Sequence, residues 1–327
     1  MKEFAAIEHY FRQGFVSRPD VVLGVGDDAA LVSVPPEQEL VISVDTLVEG
    51  VHFPKQTTAY DIGYKALAVN LSDMAAMGAT PAWFTLALSC PEMSASWLQQ
   101  FSQGLRDLAV QHQVSLIGGD TTCSQAGITI SIQIMGLVPR SRALRRDKAK
   151  VGDAIFVTGT LGNAGLGLAS VFGQVTLPEA DKHPLEQSLN RPTPRVAMGQ
   201  QLRELGIHCA IDVSDGLLAD LGHILTASAV GARLNLTDLP LSDSLKNNVS
   251  LEQGWHLALS SGDDYELCCT VAVDKMALVQ RTLPNLHHIG YIESQQGLRC
   301  IQPNGERWQP KAAGYEHFSA TDSIHVK

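Results

Sequence analysis

Short apolar runs alternate in the first half of the chain with longer stretches whose apolar residues recur every three or four positions. Between residues 128 and 134, isoleucines alternate with polar residues, which is typical of a half-buried strand. Four further apolar runs predict strands: VVLGVG, LVISVDT, WFTLALSC and VSLIGGD. The two longest periodic stretches predict helices: DIGYKALAVNLSDMAAMGA and SASWLQQFSQGLRDLAVQHQ.

A change of amino-acid composition near residue 150 predicts a domain boundary. The segment PRSRALRRDKAKVGD is strongly basic, carrying Arg140, Arg142, Arg145, Arg146, Lys148 and Lys150. Strands and helices then resume with AIFVTG, NAGLGLASVFG, CAIDVSD, GLLADLGHILTASA, ARLNLTDL, ELCCTVAV and HHIGYI…GLRCI. The 327 residues are therefore predicted to form two domains, 1–149 and 150–327, each α/β or α+β.

Composition narrows the class of protein. With 45% hydrophobic and 18% charged residues the chain can bury large cores. A net charge of −10 argues against nucleic acid or an anionic membrane as the main partner. No apolar run reaches the roughly 18 residues of a membrane helix. Six cysteines without a CxxC pair predict buried thiols in a reducing cytoplasm, and we expect a cytoplasmic protein.

The turn GVGDDAA (24–30) poses a question about charge. Its glycines imitate the spacing of a dinucleotide-binding loop, whose backbone amides hold a pyrophosphate. Asp27 and Asp28, however, stand where the phosphate oxygens would bind. Either this turn binds no phosphate, or a cation lies between the carboxylates and the phosphate.

Aspartates recur where predicted strands end: Asp45, Asp120, Asp212 and Asp215. A single aspartate in such a place is commonly a helix cap. Four repetitions fit independent capping poorly, and loops at strand ends are where α/β proteins usually build their sites.

Asp73 lies in a helical segment that is apolar nearly all round, which predicts that it is buried. A buried carboxylate must be protonated, paired or bound to a metal ion. Carboxylates about 4 Å apart repel by about 4 kcal/mol at an effective dielectric of 20, so several acids in one pocket need cations. Oxygen donors without histidine or cysteine favour Mg²⁺, Mn²⁺ or Ca²⁺ over zinc. We infer that the acids hold metal ions and the metal ions hold phosphates.

Other phosphate-binding signals are weak. The chain has no GxxxxGK[ST] motif and no HRD or DFG set, and the glycines of VTGTLGNAGLG are read as close packing. The basic run is either a solvated linker or the source of an arginine for a phosphoryl-transfer site.

Together these motifs resemble the thiamine-monophosphate kinase family, within the superfamily of aminoimidazole ribonucleotide synthetase. The matching stretches run in family order from residue 24 to 318: GVGDDAAL, SVDTLVEGVHF, KALAVNLSDMAAMGA, LIGGDTT, SRALRR, AIDVSDGL, SGDDYEL and GYEHF. The resemblance implies an N-terminal synthetase-type α/β domain with a mixed sheet and a C-terminal α+β domain. It also implies a homodimer, and an ATP-dependent kinase that converts thiamine monophosphate to thiamine diphosphate by direct in-line transfer with several Mg²⁺ ions.

The resemblance further implies site residues. The Mg²⁺ ligands would be Asp27, Asp28, Ser43, Val44 (through its carbonyl), Asp45, Asp73, Asp120, Asp212 and Asp215. ATP would contact Gly119, Asp120, Arg146 and Ser214, with Arg146 as a charge stabiliser, and thiamine monophosphate would contact His52, Asp263 and Tyr315. No residue is expected to act as general base, because the acceptor phosphate is already anionic.

Three alternatives compete with this interpretation. Another ATP-dependent synthetase of the superfamily would act on a ribonucleotide amidine, but VDTLVEGVHF counts against it. A non-catalytic Mg-nucleotide-binding module would tolerate the loss of acidic or arginine positions, and none is lost. A nicotinamide oxidoreductase is disfavoured by the paired acids of GVGDDAA.

Overall fold

The computed structural model describes residues 6–92, 94–310 and 314–315. Within these ranges the backbone contacts define two compact units, 6–74 with 79–141 (unit 1) and 75–78 with 142–315 (unit 2). The change of unit at 141/142 precedes the boundary predicted at 149/150. From Arg142 onward the basic segment belongs to unit 2, where the Arg145 amide donates to the His208 carbonyl at 2.8 Å.

Unit 1 contains a mixed sheet in the order β3-β6-β4-β5, in which only the β4–β5 pair is parallel. A short antiparallel hairpin, β1-β2, stands apart from it. The strands are β1 Val21–Leu23, β2 Leu31–Val32, β3 Gln38–Val48, β4 Thr80–Cys90, β5 Ser115–Cys123 and β6 Thr129–Pro139. The helical segments are a π-helical turn Ile7–Arg12 and the helices α1 Ala59–Ala76 and α2 Ala95–His112.

The two faces of strand β3 differ in what covers them. Successive side chains point to opposite faces of a strand. Ser43 donates a hydrogen bond to Asp73 of α1, so this face lies toward the helix. On the opposite face Leu40, Ile42 and Val44 are 41%, 54% and 60% exposed. Within the described residues β3 is also an edge strand, so the sheet presents an uncovered apolar row along one edge.

Unit 2 is built on a sheet in the order β13-β12-β9-β11-β7-β10-β8, antiparallel except for the β12–β9 pair. Its strands are β7 Ala154–Thr158, β8 Cys209–Val213, β9 Gly231–Asn235, β10 Glu266–Val271, β11 Leu286–Glu293, β12 Gly297–Ile301 and β13 Arg307–Trp308. Its helices are α3 Asn163–Val171, α4 Glu179–Asn190, α5 Val196–Glu204, α6 Leu217–Ser228, α7 Asp243–Asn248, α8 Leu251–Ser260 and α9 Met276–Thr282. One apolar core joins the sheet to helices that include α3, α6 and α8.

The predicted strands and helices are present, with two corrections to the interpretation of the aspartates. Strand β3 continues to Val48 and β5 to Cys123, so Asp45 and Asp120 lie inside strands rather than at their ends. Helices α4, α5, α7, α8 and α9 were not predicted; α4 is polar and contains Pro184, which weakens the helical signal. Within the described ranges, no helix combines the length and apolar character that crossing a membrane requires.

Helices α1 and α2 cross at a pair of glycines. A Cβ atom added at Gly63 would overlap the carbonyl oxygen of Phe101, and one added at Gly104 would overlap that of Tyr60. The obstacle is backbone in both cases, so neither helix can relieve the overlap by rotating a side chain. The close approach of the two helices therefore requires both glycines.

We predict that Gly104→Ala lowers the free energy of unfolding by about 2 kcal/mol, within the range known for overpacked cores. Gly222→Ala in α6 is the matched control, because a Cβ there meets nothing within 4 Å. That control is expected to raise stability by about 0.5 kcal/mol by restricting the unfolded chain. Urea unfolding of the three proteins measures both changes. A Gly104→Ala variant as stable as the parent would contradict the proposed crossing.

Candidate functional site

The GVGDD turn presents both of its carboxylates to solvent. Gly26 has a φ of +119°, and the backbone amide of Asp28 donates to Oδ1 of Asp27 at 2.8 Å. Asp27 and Asp28 are exposed, and among the described residues neither side chain is held in a salt bridge as a structural acid often is. The turn is shaped to present oxygen atoms outward rather than to gather amide hydrogens around an anion.

A cavity of about 490 Å³ in unit 1 joins this turn to strand β5. Asp27, Asp28, Gly119 and Asp120 all line it, so the structure brings these four predicted site residues together. A Cβ at Gly119 would overlap the Leu86 carbonyl oxygen, and glycine therefore lets β5 approach β4 at the cavity. The remaining lining is Ile7, Phe11, Val25, Gly26, Leu86, Leu116, Gly118 and Thr121. One cavity thus combines carboxylates with an apolar wall.

Ser43 and Asp73 form a second group in unit 1. The Ser43 hydroxyl donates to Oδ2 of Asp73 at 2.5 Å, which joins β3 to α1. Asp73 is half-buried rather than fully buried, although its neighbours in α1 are buried as predicted. Asp45 lies two residues after Ser43 and therefore on the same face of β3. The Val44 side chain has no donor atom, so its carbonyl oxygen is the only group that it can offer a metal ion.

His52 is fixed by two contacts from its surroundings. The backbone amide of Val48 donates to its Nδ1 at 3.0 Å. The ammonium of Lys65, a residue only 2% exposed, donates to its carbonyl oxygen at 3.2 Å. Because Nδ1 accepts a hydrogen bond, the ring proton of the neutral imidazole lies on Nε2. His52 is therefore arranged to donate from Nε2.

A search of the described residues finds no three histidine, cysteine, aspartate or glutamate side chains grouped to hold a metal ion. Asp27, Asp28 and Asp120 line one cavity without forming such a group. Mg²⁺ usually takes one or two carboxylates and completes its shell with water and phosphate oxygens. The carboxylate and hydroxyl oxygens of the described residues fit that ion chemically.

In unit 2 the loop after β8 is held by a carboxylate from the helix that follows it. Oδ2 of Asp220 accepts the backbone amides of Ser214 at 2.9 Å and Asp215 at 3.0 Å. Asp220 is 3% exposed and Asp212 4%. Burial, followed by the charges of Asp212 and Asp215, raises the pKa of Asp220 to about 7. Three acidic side chains therefore lie close together at this end of β8.

Two predicted substrate contacts converge on the same loop. The Asp263 amide donates to the Ser214 carbonyl at 2.9 Å, and the Tyr315 amide donates to the Asp215 carbonyl at 3.0 Å. Asp263 is 3% exposed and has a φ of +61°, an uncommon conformation for an aspartate. Ser214, Asp215, Asp263 and Tyr315 thus share one backbone network. The last three residues of GYEHF lie outside the described residues.

Arg146 lies at the other end of β8. Its carbonyl oxygen accepts from Ser228 Oγ at 2.8 Å and from Cys209 Sγ at 3.8 Å. Cys209 begins β8 and Ser214 follows its last residue, so a five-residue strand of about 17 Å separates the two positions. Within unit 2 the structure therefore does not bring the Arg146 backbone together with Ser214. The Arg146 side chain is exposed, and the neighbouring Arg145 pairs with Asp147 at 2.8 Å.

Comparison with known proteins gives the family. The profile of "AIR synthase related protein, N-terminal domain" matches residues 26–138, and that of the C-terminal domain matches 150–302. The thiamine-monophosphate kinase of Escherichia coli K12 is 46% identical over 322 residues, which is 97% of this chain and 98% of the relative. The chain belongs to the thiamine-monophosphate kinase family. It is therefore an enzyme of the kinase class, and the predicted two-domain α/β and α+β fold is confirmed.

Two solved structures of this family share its fold. The crystal structure of thiamine-monophosphate kinase from Stenotrophomonas maltophilia is 47% identical with a TM-score of 0.84, covering 94% of this chain and 98% of that one. A structure of AaThiL complexed with AMPPCP and TMP is 31% identical with a TM-score of 0.76, covering 90% and 92%.

The sequence interpretation missed a network beside Asp263 in this kinase. Arg195 forms a two-pronged ion pair with Glu266, which also accepts from the Thr158 hydroxyl at 2.5 Å. Asp264 accepts the Gly162 amide, and burial raises the pKa of its carboxyl. Asp264, Arg195 and Glu266 line a polar cavity of about 260 Å³. Because Arg195 and Glu266 lie 71 residues apart, no local spacing reveals their pairing.

Proposed function

We propose that this enzyme transfers a phosphoryl group from ATP to thiamine monophosphate and produces thiamine diphosphate by direct in-line transfer assisted by Mg²⁺. The observation that carries the proposal is the cavity that Asp27, Asp28, Gly119 and Asp120 line together, in a chain 46% identical to a thiamine-monophosphate kinase over almost its full length. A carboxylate-lined cavity repels free phosphate, so it suits a nucleotide that arrives with its cations.

The oxygen donors divide into sets that could each contribute to an Mg²⁺ site. In unit 1 these are Asp27, Asp28 and Asp120 at the cavity, and Ser43, Asp45 and Asp73 beside α1, with the Val44 carbonyl. In unit 2 they are Asp212 and Asp215. When bound, Mg²⁺ supplies positive charge to the phosphate oxygens. Gly119 and Ser214 would contact the nucleotide, and the exposed Arg146 would neutralise charge on its phosphates.

Three residues are proposed to bind thiamine monophosphate. His52 donates a hydrogen bond from Nε2 to the substrate phosphate, because its Nδ1 is occupied by the Val48 amide. The thiazolium ring is cationic, and a carboxylate and an aromatic ring attract such a cation. Asp263 and Tyr315 supply these two groups from the network around Ser214 and Asp215.

The acceptor needs no general base. Its phosphate is anionic at pH 7, so the enzyme has to position two phosphates and neutralise their repulsion. Holding reactants in line replaces a bimolecular encounter, an effect that can account for a large part of the rate acceleration. The proposed roles of the chain's residues are accordingly binding and orientation.

We predict that Asp73→Asn lowers thiamine diphosphate formation at least about 100-fold, because an amide cannot replace the carboxylate as a metal ligand. The purified enzyme is incubated with ATP, MgCl₂ and thiamine monophosphate, and the product is quantified by chromatography. A sample with EDTA in place of MgCl₂ is expected to give no product.

Asp243→Asn is the control, since the Asp243 side chain is 96% exposed and pairs only weakly with Lys246. It should leave product formation unchanged. Nucleotide binding without any thiamine diphosphate would refute the kinase proposal and favour a superfamily synthetase acting on a ribonucleotide amidine. Normal activity of the Asp73→Asn variant would show that the Asp73 carboxylate is not a required metal ligand.

A second prediction concerns the role of His52. Glutamine places an amide nitrogen near the position of Nε2, whereas asparagine places its amide near Nδ1. If His52 donates from Nε2, His52→Gln should raise the KM for thiamine monophosphate less than about fivefold, and His52→Asn more than about twentyfold. Steady-state kinetics with saturating ATP measures both values. Equal effects of the two variants would argue against donation from Nε2.

We also propose that the enzyme is a cytoplasmic homodimer formed through β3. A long edge strand with an exposed apolar row pairs readily with another chain, and Leu40, Ile42 and Val44 provide that row. Light scattering during size-exclusion chromatography should give a molar mass twice the 35.2 kDa of one chain. Ile42→Lys should shift the mass to that of one chain, and a wild-type protein of one-chain mass would refute the dimer.

A further inference from the structure

Asp220 performs a task that the motifs did not reveal. It lies in the first turns of α6, yet its side chain reaches back to the loop that precedes the helix. A single oxygen, Oδ2, accepts the amide hydrogens of both Ser214 and Asp215, at 2.9 and 3.0 Å. The side chain is 3% exposed, so a buried acceptor holds both amides on this side of the loop.

The Ser214 and Asp215 amides lie in a loop between a strand and a helix. A strand followed by a glycine-containing turn and a helix is an arrangement in which loop amides commonly bind phosphate. In this chain β8 leads through Gly216 into α6, but the two loop amides already donate to Asp220. The carboxylate stands where a phosphate oxygen would bind. The loop therefore presents the side chains of Asp212 and Asp215 rather than its backbone amides.

Burying a third carboxylate beside Asp212 and Asp215 is unfavourable. An apolar side chain at position 220 would avoid that repulsion but would leave two amides unsatisfied. The hydrogen bonds of Asp220 to the loop therefore explain why an aspartate stands at position 220, because burial and the neighbouring carboxylates both disfavour a charged side chain there. The Ser214 carbonyl, which accepts the Asp263 amide, shares a peptide unit with the Asp215 amide, so Asp220 also fixes the peptide unit to which Asp263 is bound.

We propose that Asp220 is a positioning residue that holds the Ser214–Asp215 loop and prevents its amides from binding phosphate directly. The phosphates would then meet the backbone of this loop only through cations held by Asp212 and Asp215, and the proposed contact of Ser214 with the nucleotide would be made by its side chain. This inference rests on the proposed function for its substrate, whereas the hydrogen bonds themselves can be tested without any substrate.

Two substitutions separate this role from that of a metal ligand. Asp220→Asn keeps an oxygen that can accept both amides and removes the negative charge. Asp220→Ala removes the acceptor as well. If Asp220 positions the loop, the asparagine variant resembles the wild type and the alanine variant does not. If Asp220 were itself a metal ligand, both variants would lose Mg²⁺-dependent nucleotide binding.

The first measurement is amide hydrogen exchange of the Ser214 and Asp215 amides in the full chain without nucleotide. Exchange should be at least about tenfold faster in Asp220→Ala than in the wild type, and within about threefold of it in Asp220→Asn. Asp243→Asn is the exposed control and should not change it. If Asp220→Ala does not fold, exchange in Asp220→Asn alone tests the proposal, and exchange as slow as in the wild type supports it. Fast exchange in the asparagine variant, or wild-type exchange in the alanine variant, overturns the proposal.

The second measurement is ATP affinity by calorimetry with MgCl₂ and with EDTA. The dissociation constant with EDTA divided by that with MgCl₂ should fall at least about fivefold in Asp220→Ala, because the released amides donate to phosphate oxygens without metal. The same ratio should stay unchanged in Asp220→Asn. An unchanged ratio in Asp220→Ala contradicts the blocking role. Failure of the wild type to form thiamine diphosphate would refute the proposed function alone, since the exchange result does not depend on it.

Discussion

Repulsion between like charges is the constraint on which the rest of this structure depends. The residues proposed to hold the nucleotide are mostly carboxylates, and both substrates carry phosphate. At an effective dielectric of 20, each pair of unit charges 4 Å apart costs about 4 kcal/mol. A fold that collects such groups must separate them, hydrogen-bond them or supply cations. Each of these solutions is visible in a different part of this chain.

In unit 1 the acids of the cavity are left exposed, where water screens them, and Asp73 accepts a hydrogen bond from Ser43. In unit 2 several acids are buried or half-buried, and three of them each have their own ion-pair or hydrogen-bond partners. Glu266 pairs with Arg195, Asp264 accepts the Gly162 amide, and Asp220 accepts two loop amides. The exposed acids of the unit 1 cavity are therefore suited to bind exchangeable cations, whereas the contacts of Glu266, Asp264 and Asp220 in unit 2 are structural.

The alternation of isoleucines from Ile128 to Ile134 predicted β6 correctly because a half-covered strand imposes a period of two on its sequence. The bounds of β3 and β5 were misjudged because strand pairing continues through Asp45 and Asp120, and hydrogen bonding to neighbouring strands is not encoded locally. The motifs identified the family, and with it the candidate ligands. They could not reveal Asp220 or the Arg195–Glu266 pair, whose partners are set by the folded backbone rather than by spacing.

The most direct test of the central claim is calorimetric titration of ATP into the wild-type enzyme, once with MgCl₂ and once with EDTA. If carboxylates form the phosphate-binding surface, removing the metal should weaken ATP binding at least about tenfold, because the phosphates then face uncompensated negative charge. Equal affinity in the two titrations would show that the protein binds phosphate directly, and would contradict a site in which cations join the carboxylates to the nucleotide.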